Sequence, residues 1–239
     1  MRAGSTYIRE GLRQAGRGLI VVALAGAVAL LFDLETSRPA RRGADAALLL
    51  AVQGRDHDGV RAALADGAST EPTSQDGRTP LLWAIADDDR STVELLLNHG
   101  ADSCHMTPTG LTPLAAAACH GDTLLVERLL AAGAEPNPDH GRPAPLAAAA
   151  SSGNADTVRM LLRAGADVNA TARGRQSALH VAAENVNVSQ DVIDLLLASG
   201  CDPTLRDEDG ATPADLARAA GRDAIARRIE SACPDHELR

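Results

Sequence analysis

The chain is 239 residues long and carries 32 acidic residues against 23 arginines, for a formal charge of −9. Past residue 32 the balance is 19 arginines to 31 acids, an acidic body that repels nucleic acid and anionic membrane surfaces. With one Trp, one Phe and one Tyr, a large aromatic core is excluded, and Ala and Leu must supply thin helical layers instead.

Taken in chain order, residues 1–17 form a basic segment with Arg2, Arg9, Arg13 and Arg17. Residues 18–32 follow without a charge, through Leu19-Ile20-Val21-Val22-Ala23-Leu24, and read as a hydrophobic signal or anchor helix. A cleaved signal peptide has cut sites at Ala25-Gly26-Ala27 or Ala27-Val28-Ala29, but leaves Leu30-Leu31-Phe32 at the new terminus. An uncleaved transmembrane helix avoids that. Its run, however, covers only about 22 Å of a roughly 30 Å hydrocarbon core, so Arg17 must snorkel or the bilayer must thin. The arginine bias puts the N-terminus inside and the rest outside, opposed by Arg38, Arg41 and Arg42. A cytosolic helix packed on the body of the protein is the remaining alternative. Residues 33–43, with Pro39, read as a linker.

From residue 44 to 233 the chain repeats itself. Thr79-Pro80-Leu81, Thr112-Pro113-Leu114, Ala144-Pro145-Leu146, Ser177-Ala178-Leu179 and Thr212-Pro213-Ala214 recur at 32- to 35-residue spacing, with a degenerate copy at Ala46-Ala47-Leu48-Leu49. Threonine caps a helix with its hydroxyl, and proline at the first helical position forfeits no hydrogen bond. A short Ala/Leu helix, a turn and a second helix such as Val93-Glu94-Leu95-Leu96-Leu97 follow. The second helices end at Gly100, Gly133, Gly165 and Gly200, where a left-handed residue closes the helix. Such a pair cannot bury its apolar face alone, so neighbours must stack. The units run near 44–76, 77–109, 110–141, 142–174, 175–209 and 210–233, with 234–239 as a tail. The first, with Arg55-Asp56-His57-Asp58 at its turn, and the last, with Arg222, Asp223, Arg227, Arg228 and Glu230, read as polar end caps.

Gly77-Arg78-Thr79-Pro80-Leu81 and Gly110-Leu111-Thr112-Pro113-Leu114 at the openings, with Gly100-Ala101-Asp102 and Gly165-Ala166-Asp167-Val168-Asn169 at the closes, resemble the ankyrin repeat. The resemblance implies an all-α solenoid of about six stacked helix-turn-helix units with short hairpin-like loops, here preceded by the N-terminal hydrophobic helix. Three departures are local. The family's usual His after Leu survives only as His180, two extra residues lie around Val186-Asn187-Val188-Ser189, and Asp88 replaces the turn glycine of the second unit.

No catalytic constellation is present: no Gly-x-Ser-x-Gly, no phosphate-cradling glycine loop, no His-Glu-x-x-His. Cys104-His105 and Cys119-His120 invite a metal reading, but one pair falls in a loop and the other at a helix end, so no metal and no cofactor is expected. Repeats stack about 8–10 Å apart, slightly beyond disulfide reach, and a frayed C-terminus would be needed to pair Cys201 with Cys233. What remains is surface. The ankyrin resemblance implies a monomeric, non-enzymatic scaffold that grips a protein partner with its concave face. By position, that face draws Trp83, Asp87, His120, Ser152, Glu184 and Asn185 from the first helices. The loops add Asp76, Arg78, His105, Met106, Asp139, His140, Arg173, Asp207 and Asp209. The acidic loops point to a partner with basic features. Trp83 is either a binding hot spot or a core filler. The alternative function is an accessory, regulatory or protective factor for an envelope enzyme, with Cys and His in redox or metal duty. A small hydrolase is weaker still.

Overall fold

The computed structural model describes residues 42–138, 144–171 and 173–233. The hydrophobic run 18–32, most of the linker and the tail lie outside the described residues. Among those described, twelve α-helices pair off along the chain: α1 (42–53) with α2 (His57–Ala65), α3 (Pro80–Ala86) with α4 (Arg90–Asn98), and α5 (Pro113–His120) with α6 (Thr123–Ala131). The series continues with α7 (Pro145–Ser152) and α8 (Ala155–Arg163), α9 (Ala178–Glu184) and α10 (Gln190–Ala198), and α11 (Pro213–Ala219) and α12 (Asp223–Glu230). α1 already includes residues 42 and 43, which the linker reading had claimed.

The capping residues work as their chemistry dictates. Thr79 and Thr112 accept from Leu82 N–H at 3.4 Å and Ala115 N–H at 3.2 Å, each ahead of a proline. The second helices carry their own caps. Asp56, Asp89, Asp122 and Asn154 accept from Gly59, Thr92, Leu125 and Thr157 N–H at 3.0–3.2 Å. Where the second unit lacks a turn glycine, Asp88 itself takes the left-handed conformation (φ 54°), a role Asn and Asp fill better than other residues with a Cβ. The extra residues of the fifth unit bulge as a five-residue turn between α9 and α10.

Two layers result. α3, α5, α7, α9 and α11 pack side by side as one layer, and α2, α4, α6, α8, α10 and α12 form the other. Columns of like residues run through the stack: Leu81, Leu114, Leu146 and Leu179 in the first helices, Leu96, Leu129, Leu161 and Leu196 in the second, all buried. Ala117, Ala118, Ala149, Ala150, Ala182 and Ala183 are buried between them, which lets the first-helix layer close up without aromatic bulk. The loops are laced together too. Asn137 Oδ1 accepts from Asp167 N–H and Asn169 Oδ1 from Asp202 N–H, both at 2.8 Å, so each loop leans on the next.

Three expectations need correction. The outer face of the first unit is mainly apolar: Ala44, Ala47, Leu50 and Ala51 lie along it with Ala62, bordered by Asp56 and Asp66, and Leu50 is 69% exposed. Of the charged residues at its helix turn, Asp56 borders this face, and Arg55 and Asp58 do not line it. Arg222 is no solvated end-cap residue. Its guanidinium donates to the carbonyls of Ala182, Ala183, Asn185 and Val188, pinning the bulged turn of the preceding unit. Finally, no disulfide joins Cys201 and Cys233. Cys201 is a buried thiol, and Cys233 Sγ is turned back onto Ile229 O of its own helix at 3.8 Å.

Candidate protein-binding face

From α3 onward, each first helix offers one half-buried position at the same point of the repeat: Trp83, Ala116, Ala148, Val181 and Leu216. Four of these are small or aliphatic, so the row makes a shallow apolar floor with one indole at its end. Trp83 packs on the core with one edge and meets polar groups with the rest. Its Nε1–H donates to Ser74 Oγ at 3.3 Å, and the Arg78 guanidinium lies over the ring, 5.1 Å from the centroid. Arg78 is held in turn by Asp76, Nε to Oδ2 at 3.0 Å. Ser74 Oγ donates to Asp76, and this bond, with Arg78 nearby, holds the Asp76 carboxyl below the usual carboxylate range. His105 reaches across from the next loop, Nε2 to Gly77 O at 3.0 Å. Trp83, Asp76, Arg78 and His105 thus form one assembly, with Met106 half-buried beside His105 in sequence.

The other expected residues disperse. Asp87 closes α3, where its carbonyl accepts from Arg55. His120 lines a separate open cleft of about 590 Å³ with Asp88, Arg90, Asp122 and Leu124. There one Asp122 oxygen, buried and without a well-directed hydrogen bond, faces the Arg90 guanidinium at 2.9 Å. Ser152 and Glu184 are exposed. Asn185 is half-buried and occupied, its Nδ2 donating to Ser151 O at 2.9 Å and its Oδ1 accepting from Asn187 N–H at 3.0 Å.

Asp207 is a correction. It is 5% exposed, and its Oδ1 accepts from Ala211 N–H at 2.8 Å and Asp209 N–H at 3.1 Å, so it builds the loop rather than presenting charge. Asp209, two residues on, is exposed. Asp139, His140 and the Arg173 side chain lie outside what the structure describes.

Cys104 and His105 do not act as a pair. Cys104 Sγ donates to Gly133 O at 3.3 Å, away from the Gly77 carbonyl that His105 meets. Repeat stacking instead brings His105 near Glu71 and Asp102, with one ligand atom of each within 4.8 Å of the others. Glu71 was not among the expected residues, because nothing within its own unit marks it. His180 is buried, in a capping box. Ser177 N–H donates to Nδ1 at 3.2 Å, so the ring is neutral and its Nε2–H faces Ala211 O at 3.3 Å. Burial lowers its pKa despite the Ala211 carbonyl and the nearby Asp207 carboxylate.

Stacked helix pairs, a continuous two-layer core and a shallow floor flanked by loop tips define a helical repeat solenoid. The family model for ankyrin repeats (three copies) matches residues 19–107, 48–140, 102–172 and 146–230, and the chain belongs to the ankyrin repeat family. It is similar to the crystal structure of an ankyrin repeat domain from Acinetobacter baumannii AYE. The two are 27% identical with a TM-score of 0.67, over 77% of this chain and 96% of that one. No curated protein matches. Ankyrin repeats in general mediate protein–protein interaction and carry no catalysis. Among the described residues no helix is long and apolar enough to cross a membrane.

Proposed function

We propose that this solenoid is a scaffold that binds a protein partner along the floor running from Trp83 to Leu216, with Trp83 as the anchor. The observation that carries this is the environment of Trp83. It is half-buried under Arg78 at a position where the other units place Ala, Val or Leu, so stacking alone does not require an indole there. A rigid aromatic beside a shallow apolar row is the common form of an interface hot spot. Exposed Asp76, Glu184 and Asp209 beside the floor favour a partner with basic features.

Affinity capture with the full chain, followed by titration of the captured protein, tests this reading. Trp83→Ala should weaken binding by about 2 kcal/mol or more, and Asp209→Arg should reduce the association rate. Unchanged binding in both variants would remove the assignment. Asp207 is unsuited to the test, because its reversal breaks the loop.

The reading extends to the cell envelope, with residues 18–32 as export signal or anchor and the repeats facing outward. The uncharged run behind four arginines supports it. A second reading is supported by the apolar outer face of α1 and α2 and by a family match that begins at residue 19: the same run covers that face inside the cell. A C-terminal reporter active only outside the cytoplasm separates the two, and its silence defeats export.

A further inference from the structure

We propose that Glu71, Asp102 and His105 bind a divalent transition-metal cation, with Zn²⁺ the best-matched ion, across two successive loops of the solenoid. One ligand atom from each residue already lies within 4.8 Å of the other two. Zinc bonds of about 2.0–2.2 Å at tetrahedral angles need ligand atoms roughly 3.4 Å apart, so closure asks for about 1 Å of movement. Asp102 is exposed and the other two are half-buried, which leaves room for it.

Each side chain is held by one hydrogen bond that leaves a coordinating atom over. Glu71 Oε1 accepts from Asp102 N–H at 2.9 Å, and Asp102 Oδ1 accepts from Cys104 N–H at 2.8 Å, so a second oxygen remains on each. His105 Nε2 is 3.0 Å from Gly77 O. Donation of Nε2–H to that carbonyl fixes the tautomer and leaves the Nδ1 lone pair, an arrangement found around metal-bound imidazoles.

The chain supplies its own control. Glu71 stands where later repeats have Asn137 and Asn169, whose amide oxygens make the same bond to the next loop. A neutral amide therefore suffices for stacking, and the charge of Glu71 is surplus to it. At the position of His105 the other units have Pro72, Pro138, Ala170 and Leu205. Among the described residues no ion pair joins Glu71 or Asp102 to an arginine. Two carboxylates and an imidazole suit zinc better than calcium or magnesium, which prefer more oxygens. Three protein ligands also leave a coordination position for water or for a partner's side chain.

Calorimetric titration of the full chain with Zn²⁺ is the test, with the visible absorption of bound Co²⁺ as a second readout. One saturable site is expected. Glu71→Gln and His105→Ala should each weaken it at least tenfold, while Cys104→Ser leaves it unchanged. Glu71→Gln keeps an acceptor for Asp102 N–H, so its helical circular dichroism and melting should match the parent. Equal zinc affinity in parent, Glu71→Gln and His105→Ala would overturn the site, as would a titration with no saturable binding.

Discussion

Arg222→Ala is the sharpest test of how the last units are held. One guanidinium nitrogen lies 2.7 Å from Ala182 O, 3.0 Å from Ala183 O and 2.7 Å from Asn185 O, and the other 2.5 Å from Val188 O. Ala182 and Ala183 sit in the last turn of α9, where carbonyls have no intrahelical donor. Asn185 and Val188 lie within the bulge, whose other ties include Asn185 Nδ2 to Ser151 O and the buried Val188 side chain. Hydrogen bonds to a charged group contribute about 1.5–3 kcal/mol each. Three of the four share one nitrogen, and the half-buried site lets water replace part of what is lost. A net cost of about 2–4 kcal/mol follows, short of the summed figure. Burial also lowers the pKa of this guanidinium, whose partners are carbonyls rather than carboxylates.

Because each unit of a solenoid is stabilised by its neighbours, the loss should localise. Amide hydrogen exchange should quicken by one to three orders of magnitude in α11, α12 and residues 185–189, by about 1.4 kcal/mol per decade, and hardly change in α3 to α6. Arg222→Lys should recover less than half, since an ammonium cannot reach both sets of carbonyls. Unchanged exchange across residues 178–230 in Arg222→Ala would refute the argument.

Two further outcomes follow from buried groups. Burial, with Asp202 adding to it, pushes the Cys201 thiol up to about 12. A thiol reagent at neutral pH should therefore label exposed Cys104 and Cys119 and spare Cys201 until urea unfolds the array, as peptide mass mapping would show. Burial holds the His180 imidazole below its ordinary value in the folded chain. The unfolded chain thus takes up the proton first, so this contribution to stability is complete above about pH 6.5 and is lost as the pH falls toward the lower folded value. Urea melts at pH 7.5 and 5.5 should show a smaller pH dependence in His180→Gln, which keeps an N3 acceptor for Ser177 N–H.

The sequence showed what recurs and hid what does not. The Thr-Pro caps, the leucine columns, the missing turn glycine at Asp88 and the bulge after Asn185 were all legible, because each is a local rule or a departure from a local period. Arg222 was misjudged for the opposite reason: its partners lie 34 to 40 residues back, and an arginine at a terminal helix reads as solvent-facing until the fold is seen. Asp207 failed similarly. In Asp207-Glu208-Asp209 the three acids look alike, yet the first is the one whose carboxylate meets the loop's own amides. Glu71 escaped notice because its meaning appears only when the following loop arrives above it.

That distinction between recurring and non-recurring residues is itself testable. In a solenoid, a side chain that stacking requires should reappear one period on, and one that does not reappear is free to serve something else. Trp83 and Arg78 depart from their columns and sit together near one repeat junction. Replacing Trp83 by Leu, the residue of the sixth unit at that position, should cost about 1 kcal/mol or less, since the packed edge is retained and the ring's polar contacts lie at the surface. The same change should weaken partner capture at least tenfold, the share of an aromatic anchor. If Trp83→Leu instead loses about 3 kcal/mol or more in urea while capture is undiminished, the indole is there for the core, and the floor has no anchor at this end.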